Sequence, residues 1–178
     1  AETGRSRHRA RPDRTSLDRK CDIDGIHLNV AQVIRRMRPR LQPWNHVRMR
    51  DSPEHPPRLA VIGGGPAGLM AAEVARAAGI DVHLFEAKGS VGRKFLLAGK
   101  GGLNLTHSEP FDIFVARFGD RAPQLAPLLR EFGPDELRVW AKVLGVDTFV
   151  GTSGRVFPAD MKAAPLLRAW LHRLRAMG

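Results

Sequence analysis

The sequence has one cysteine, no long apolar run, and no grouping of residues that resembles a hydrolytic centre. The lone thiol, Cys21, excludes an internal disulfide and a zinc site built from several cysteines. No stretch of about 18 apolar residues occurs, so no membrane span is expected. The Arg-rich N-terminal residues precede no apolar segment and therefore do not form a secretory signal. A cytoplasmic protein without a membrane or metal partner is the expectation, and no catalytic residue is predicted.

Basic residues outnumber acidic ones, and the formal net charge is +11. Residues 1–57 carry 13 Lys and Arg against 7 Asp and Glu, and six prolines interrupt them. This composition predicts a basic, largely disordered segment over 1–57, apart from a short helix at about Ile26–Met37, followed by packed protein over 58–178. The arm from Arg5 to Arg50 could bind nucleic acid through phosphates, although Trp44 is its one aromatic residue and no base-reading motif is present.

A strand, a glycine-rich turn, a helix and a second strand follow one another within residues 59–86. Leu59–Ile62 is an apolar run suited to a strand buried on both faces. The helix is expected to continue to about Ala78, where Gly79 ends it. Val82–Phe85 is the second apolar run. The order predicts a Rossmann-like α/β domain with a nucleotide-binding βαβ unit.

The turn carries the pattern Gly63-x-Gly65-x-x-Gly68, and an acidic residue, Glu86, ends the second strand. Gly63 permits the tight turn, Gly65 lets the backbone approach a pyrophosphate, and Gly68 lets the helix pack closely on the strands. The pyrophosphate would lie at the helix N-terminus. Glu86 would accept hydrogen bonds from a ribose and would repel a 2′-phosphate. The alternative is a glycine-rich turn that binds nothing.

A Gly- and Lys-rich loop is predicted over Ala87–Thr106. Its Arg93, Lys94 and Lys100 suit a phosphate or the polar edge of a flavin, although such a loop can also be simply solvated. Gly99-Lys100 is not a phosphate-binding P-loop, because the spacing of the preceding glycine and the residue after the lysine are both wrong.

Three amphipathic helices and a hairpin are predicted after this loop. Gly133-Pro134 separates the first two helices, and Thr148–Val150 and Arg155–Phe157 form the hairpin around a glycine-containing turn. The last helix covers about Ala163–Met177. A parallel α/β fold would return to a further strand, so a truncated domain is expected. The apolar stripes expected in the core are Leu125, Leu128, Leu129 and Phe132; Leu137, Trp140, Ala141 and Leu144; and Leu167, Trp170, Leu171 and Leu174.

Three stretches resemble a known family. They are Val61-Ile62-Gly63-Gly64-Gly65-Pro66-Ala67-Gly68, the stretch from Gly92-Arg93-Lys94 to Gly101-Gly102-Leu103-Asn104-Leu105-Thr106, and Gly154-Arg155-Val156-Phe157-Pro158. Together they resemble the HI0933-like (YhiN/BaiN-type) family of bacterial NAD(P)/FAD-dependent oxidoreductases, over about Arg58–Gly178. The commoner family pattern has Arg-Cys before the asparagine. Gly102-Leu103 stand there instead, as in a subgroup of uncharacterised flavoproteins.

The resemblance implies an FAD-dependent oxidoreductase that moves hydride or electrons from a nicotinamide cofactor, NAD(P)H, to an unknown acceptor. FAD would be held by Gly63, Gly64, Gly65, Pro66, Ala67, Gly68, Glu86, Arg93, Lys94, Gly101 and Asn104. Family members are roughly twice as long, so the substrate domain would lie outside this chain. Two alternatives stay open: a nucleic-acid-binding arm on a nucleotide-binding module, and a fragment that is inactive alone.

Overall fold

The computed structural model describes residues 20–23, 26–29 and 57–178. The first two of these ranges form a short antiparallel hairpin, β1 (Lys20–Ile23) and β2 (Ile26–Asn29), in which Ile23 lies opposite Ile26. Residues Ile26–Asn29 therefore form a strand, and the prediction that a helix begins at Ile26 is wrong. The rest of that predicted helix, and most of the predicted basic arm, lie outside the described residues.

The βαβ unit predicted from the sequence is present. β3 (Arg58–Ile62) and β4 (Asp81–Phe85) form a parallel two-stranded sheet, and α1 (Pro66–Ala77) connects them. Pro66 occupies the first turn of α1, where its missing N–H costs nothing. Gly79 has φ +83°, and Ile80 N–H donates to Ala75 O at 3.0 Å. This glycine-based C-cap explains why α1 ends where it does.

The rest of the described chain is helical apart from one small antiparallel sheet. In that sheet β7 (Arg155–Pro158) pairs on one side with β6 (Thr148–Val150) and on the other with β5 (Thr106–His107), so the predicted hairpin is confirmed and gains a third strand. The five further helices, in chain order, are α2 (Arg93–Ala98), α3 (Phe111–Ala116), α4 (Ala122–Glu131), α5 (Pro134–Val143) and α6 (Ala163–Ala176).

One hydrophobic core joins α1, α5 and α6. The indole rings of Trp140 and Trp170 meet edge to face with centroids 4.7 Å apart, in the arrangement that the ring quadrupoles favour. Leu84 of β4 and Phe95 of α2 pack against this cluster from two sides. The buried members are Leu69, Leu103, Trp140, Ala141, Ala163, Leu166, Leu167 and Trp170. The sequence-predicted stripes of α5 and α6 therefore do lie in or against the core.

Three sequence predictions need correction. The Ala87–Thr106 segment is not loop throughout, because α2 occupies Arg93–Ala98. Leu128 was expected in the core, but α4 has no buried residue and Leu128 is 65% exposed. β3 was expected to be buried on both faces, but Ile62 is 81% exposed. The physical reason at β3 is that α1 covers one face of the sheet and no described element covers the other.

Candidate functional site

The glycine turn between β3 and α1 uses a backbone conformation that is open to glycine and is fixed by a hydrogen bond. Gly63 has φ +103°, a conformation that an L-residue rarely adopts, and its N–H donates to Phe85 O at 2.8 Å. A Cβ on Gly68 would lie 1.9 Å from the Gly63 carbonyl oxygen. The first and third glycines of the pattern therefore have the conformational and packing roles that the sequence predicted.

Gly65 differs from Gly68, because a Cβ there would meet no atom within 4 Å. The space in front of Gly65 is open, and the backbone is extended there, with φ −79° and ψ −180°. The missing side chain at Gly65 is thus not required by packing within the described residues. An incoming group that approaches the backbone closely would explain it, which is the role that the sequence assigned to Gly65.

The N-terminus of α1 is suited to an anion. No side chain caps it, no acidic residue lies in its first turn, and Pro66 and Ala67 at its start are exposed. Unpaired N–H groups and the helix macrodipole together favour negative charge at such an end. The residues present therefore fit a pyrophosphate group between Gly65 and the first turn of α1.

Glu86 lies against the glycine turn at the carboxyl end of β4. Its Oε2 accepts a hydrogen bond from Gly64 N–H at 2.8 Å, and its Oε1 accepts one from Lys88 N–H at 2.8 Å. The Lys88 N–H first and then the Gly64 N–H lower the pKa of Glu86, because both stabilise the charged carboxylate. Glu86 is thus an oriented, ionised acceptor beside the turn, as ribose binding requires.

The basic helix α2 is tied to the same turn through its first residues. Gly92, at φ +71°, donates its N–H to Gly64 O at 2.7 Å. Val91 fills the space beside Gly64, since a Cβ on Gly64 would lie 2.5 Å from Val91 Cγ1. Arg93 and Lys94 follow directly and are exposed. The structure therefore brings the start of α2 and the glycine turn together.

Gly101 and Asn104 lie in a second group, away from these contacts. Both are exposed, and a Cβ on Gly101 would meet nothing within 4 Å. Between them, Leu103 is buried and its N–H donates to Met161 O at 2.9 Å. Within residues 57–178, no hydrogen bond joins Gly101 or Asn104 to the glycine turn. The predicted cofactor residues thus form two groups, one at the turn and one beside the segment before α6.

Two further residues, Gly92 and Glu73, have structural roles that were not predicted from the sequence. Gly92 was quoted only as part of a motif, yet its left-handed backbone and its bond to Gly64 connect α2 to the turn. Glu73 was not singled out from the sequence, yet it is 5% exposed and hydrogen-bonded to residues of α5 and α6. The role of Gly92 could have been suspected from the sequence, because a glycine directly before Arg93-Lys94 indicates a turn before a basic segment. Nothing local marks Glu73, because its partners are 67 to 100 positions away.

Two further properties concern only the part of the chain that the structure describes. Within it, no three His, Cys, Asp or Glu side chains are grouped as a metal site would require. None of its helices has the length and apolar character needed to cross a membrane. Two histidines make ordinary contacts: His83 Nε2 lies 3.5 Å from Asp81 Oδ2, and His107 Nε2 lies 3.0 Å from Ser153 O.

Comparison with known proteins agrees with this geometry. Residues 57–178 match the family model described as the HI0933-like protein Rossmann domain. A 3-dehydro-bile acid delta(4,6)-reductase of Clostridium scindens is 32% identical over 121 residues, which are 66% of this chain and 29% of that reductase. The chain therefore spans less than a third of the length of this relative. The family match covers the βαβ unit and everything described after it.

Proposed function

The chain belongs to the HI0933-like Rossmann-domain family, and from this premise we propose that it forms the FAD-binding part of a flavin-dependent oxidoreductase. The single observation that carries the proposal is the open, uncapped glycine turn with the ionised Glu86 beside it. The name of the relative, a reductase, supports transfer of reducing equivalents to an organic acceptor. The reductant would be a nicotinamide cofactor, and the acceptor is not assigned.

Each group of the site has a separate task in this proposal. Gly65 and the first turn of α1 would bind the pyrophosphate of FAD through backbone N–H groups. Gly63 and Gly64 would shape the turn, because their own N–H groups donate to Phe85 O and Glu86 Oε2. Glu86 would accept hydrogen bonds from the ribose hydroxyls, and its charge would disfavour a 2′-phosphate. When bound, FAD would supply the hydride-accepting and hydride-donating chemistry, and the protein would position it.

The basic and polar residues beyond the turn would bind the rest of the cofactor. Arg93 and Lys94 are exposed at the start of α2, whose Gly92 bonds the glycine turn, so their charges can reach a phosphate there. Gly101 and Asn104 would lie along the flavin half of FAD. Within residues 57–178 they make no hydrogen bond to the turn, which is compatible with an extended ligand, because adenosine and flavin occupy opposite ends of that cofactor.

The test is flavin binding by the full-length protein and by one variant. We expect purified protein to keep the visible absorption bands of a flavin after desalting, or to acquire them with added FAD. Gly65→Ala would place a Cβ in the space proposed for the pyrophosphate, and we expect FAD affinity to fall by about ten-fold or more. The apo variant should unfold at the same denaturant concentration as wild type, because that Cβ meets no protein atom.

Gly89→Ala is the matched control, since a Cβ there also meets nothing within 4 Å and Gly89 lies outside the turn. FAD affinity should be unchanged by it. Absence of flavin binding in wild-type protein, or equal affinity in wild type and Gly65→Ala, would contradict the proposal.

A further inference from the structure

A buried polar cluster joins the three helices α1, α5 and α6. Glu73 of α1 is 5% exposed, and its Oε2 accepts hydrogen bonds from Trp170 Nε1 at 2.5 Å and Trp140 Nε1 at 3.4 Å. Its other oxygen is paired with the guanidinium of Arg173 on α6. The same guanidinium lies 6.0 Å from the centroid of the Trp140 ring. One carboxylate thus pairs with two indoles and one guanidinium, of which Arg173 Nε is buried without a hydrogen-bond partner.

Stability alone does not explain such a cluster. Removing a carboxylate and a guanidinium from water is costly, and apolar residues of similar size often stabilise a core equally well or better. A hydrogen-bonded polar cluster does orient its members, because hydrogen bonds fix the orientation of their partners more narrowly than apolar packing does. The cluster therefore fixes the orientation of α6, which carries Trp170 and Arg173, relative to α1.

Helix α6 contacts α2 along its length. Trp170, which donates to Glu73, also meets Phe95 of α2 edge to face, with centroids 6.5 Å apart. One turn earlier on α6, Leu167 Cδ2 lies 2.5 Å from where a Cβ on Gly92 would be. At the start of α6, Ala163 packs in the same way against Gly99. The position of α6 therefore constrains both ends of α2.

A second contact fixes α6 to α1 at its far end. Arg76, one turn after Glu73, donates from its guanidinium to Met177 O at the C-terminus of α6. The same side chain also donates to Ile80 O at 3.2 Å, within the connection to β4. Two charged side chains of α1 thus hold α6 at two points, and α6 in turn supports α2.

We propose that Glu73 and Arg173 are a positioning pair: by holding α6 against α1, they set the placement of the basic helix α2 relative to the glycine turn. Neither residue contacts the cofactor in this account. They act through Trp170 and Phe95, and through Leu167 and Gly92. The inference depends on the proposed function, because the placement matters only if FAD extends from the turn along α2.

The test measures FAD dissociation constants by titration of full-length apo-protein, with denaturant unfolding curves for every variant. Glu73→Gln keeps the shape and an acceptor for the indoles but removes the charge that Arg173 needs. Arg173→Met removes the cation from a side chain that is 22% exposed and so disturbs packing less. We expect either variant to weaken FAD binding about three- to thirty-fold, the range for residues that couple to a site without touching the ligand. Arg173→Lys should recover part of the loss.

Two matched controls separate positioning from charge and from stability. Glu131→Gln makes the same chemical change on an exposed residue and should leave FAD affinity unchanged. Val139→Ala removes two methyl groups from a fully buried α5 residue that is outside the cluster. It should lower the denaturant midpoint without changing FAD affinity, which is measured far below the unfolding transition.

The outcomes are distinct. Wild-type affinity in Glu73→Gln and Arg173→Met, or an equal loss in Val139→Ala, would overturn the positioning role while leaving FAD binding intact. If Glu73→Gln does not fold, the Arg173 variants decide in the same way. Wild-type protein that does not bind FAD would instead refute the proposed function, and the positioning role with it.

Discussion

Replacing Gly68 by alanine should destabilise the protein, although alanine is the better helix former. Gly68 lies in the first turn of α1, and an added Cβ would lie 1.9 Å from the Gly63 carbonyl oxygen and 3.3 Å from Val61 Cγ1. A carbon and an oxygen that are not bonded stay at least 3.0 Å apart. Turn and helix must therefore separate by about 1 Å, and the close packing of α1 on β3 is lost.

The magnitude follows from two opposing terms. Overpacking of this kind costs about 1–3 kcal/mol, and the upper end applies because the obstacle is backbone and cannot rotate away. Alanine recovers up to about 1 kcal/mol of helix propensity. We expect the free energy of unfolding to fall by about 2 kcal/mol, a large share of the 5–15 kcal/mol typical of a domain.

The assay is urea unfolding followed by far-ultraviolet circular dichroism, with Gly65→Ala as the matched variant. The same methyl group is added in both, but at Gly65 it meets no protein atom, so the midpoint should stay at the wild-type value or rise slightly. An unchanged or higher midpoint for Gly68→Ala, at an unchanged denaturant slope, would refute the close approach of α1 to the turn.

Two further predictions concern single residues of the described chain. The pKa of Glu86 is lowered by the N–H groups of Lys88 and Gly64, so the stability it contributes is present above its ordinary value of 4.5 and is lost as the pH falls through the lowered value. Glu86→Gln should therefore show a shallower loss of stability between about pH 5 and pH 3 than wild type, and parallel acid-unfolding curves would contradict this. Met161 has φ +59°, which costs a non-glycine residue about 1 kcal/mol, so Met161→Gly should raise the urea midpoint. An unchanged midpoint would show that Met161 packing against Gly102 offsets the strain.

The βαβ unit could be predicted because its determinants are local. A short apolar run, three glycines at fixed spacing and a proline at the first helical position are all visible within about 30 residues. Helix ends followed the same logic: Gly79 and Gly145 both take positive φ directly after the helices they end. Fold class, helix order and hairpin were thus accessible from periodicity and turn chemistry.

A very short helix, or the burial of a residue that depends on distant parts of the chain, could not be predicted from the sequence in this way. Helix α2 has six residues between two glycines, and no residue of it is buried, so periodicity over one and a half turns carried no signal. Its stability comes from Phe95 packing on Trp170, which lies 75 positions later. The prediction that Leu128 is buried was wrong although the periodicity was clear. Its spacing matches an apolar stripe, but α4 has no buried residue and Leu128 is exposed.

The candidate site also has one part that could be predicted from local sequence and one part that could not. The glycine turn is built from contacts among Gly63, Gly64, Gly68 and Glu86, all within 24 positions, so a sequence motif records it almost completely. The start of α2 is bonded directly to this turn through Gly92, whereas the rest of α2 is supported by contacts with α6, which no motif records. A sequence with intact glycines and an altered Glu73 or Arg173 would therefore still be recognised as a nucleotide-binding fold. We expect such a chain to bind FAD more weakly, because its pyrophosphate site would be intact while its second half was misplaced.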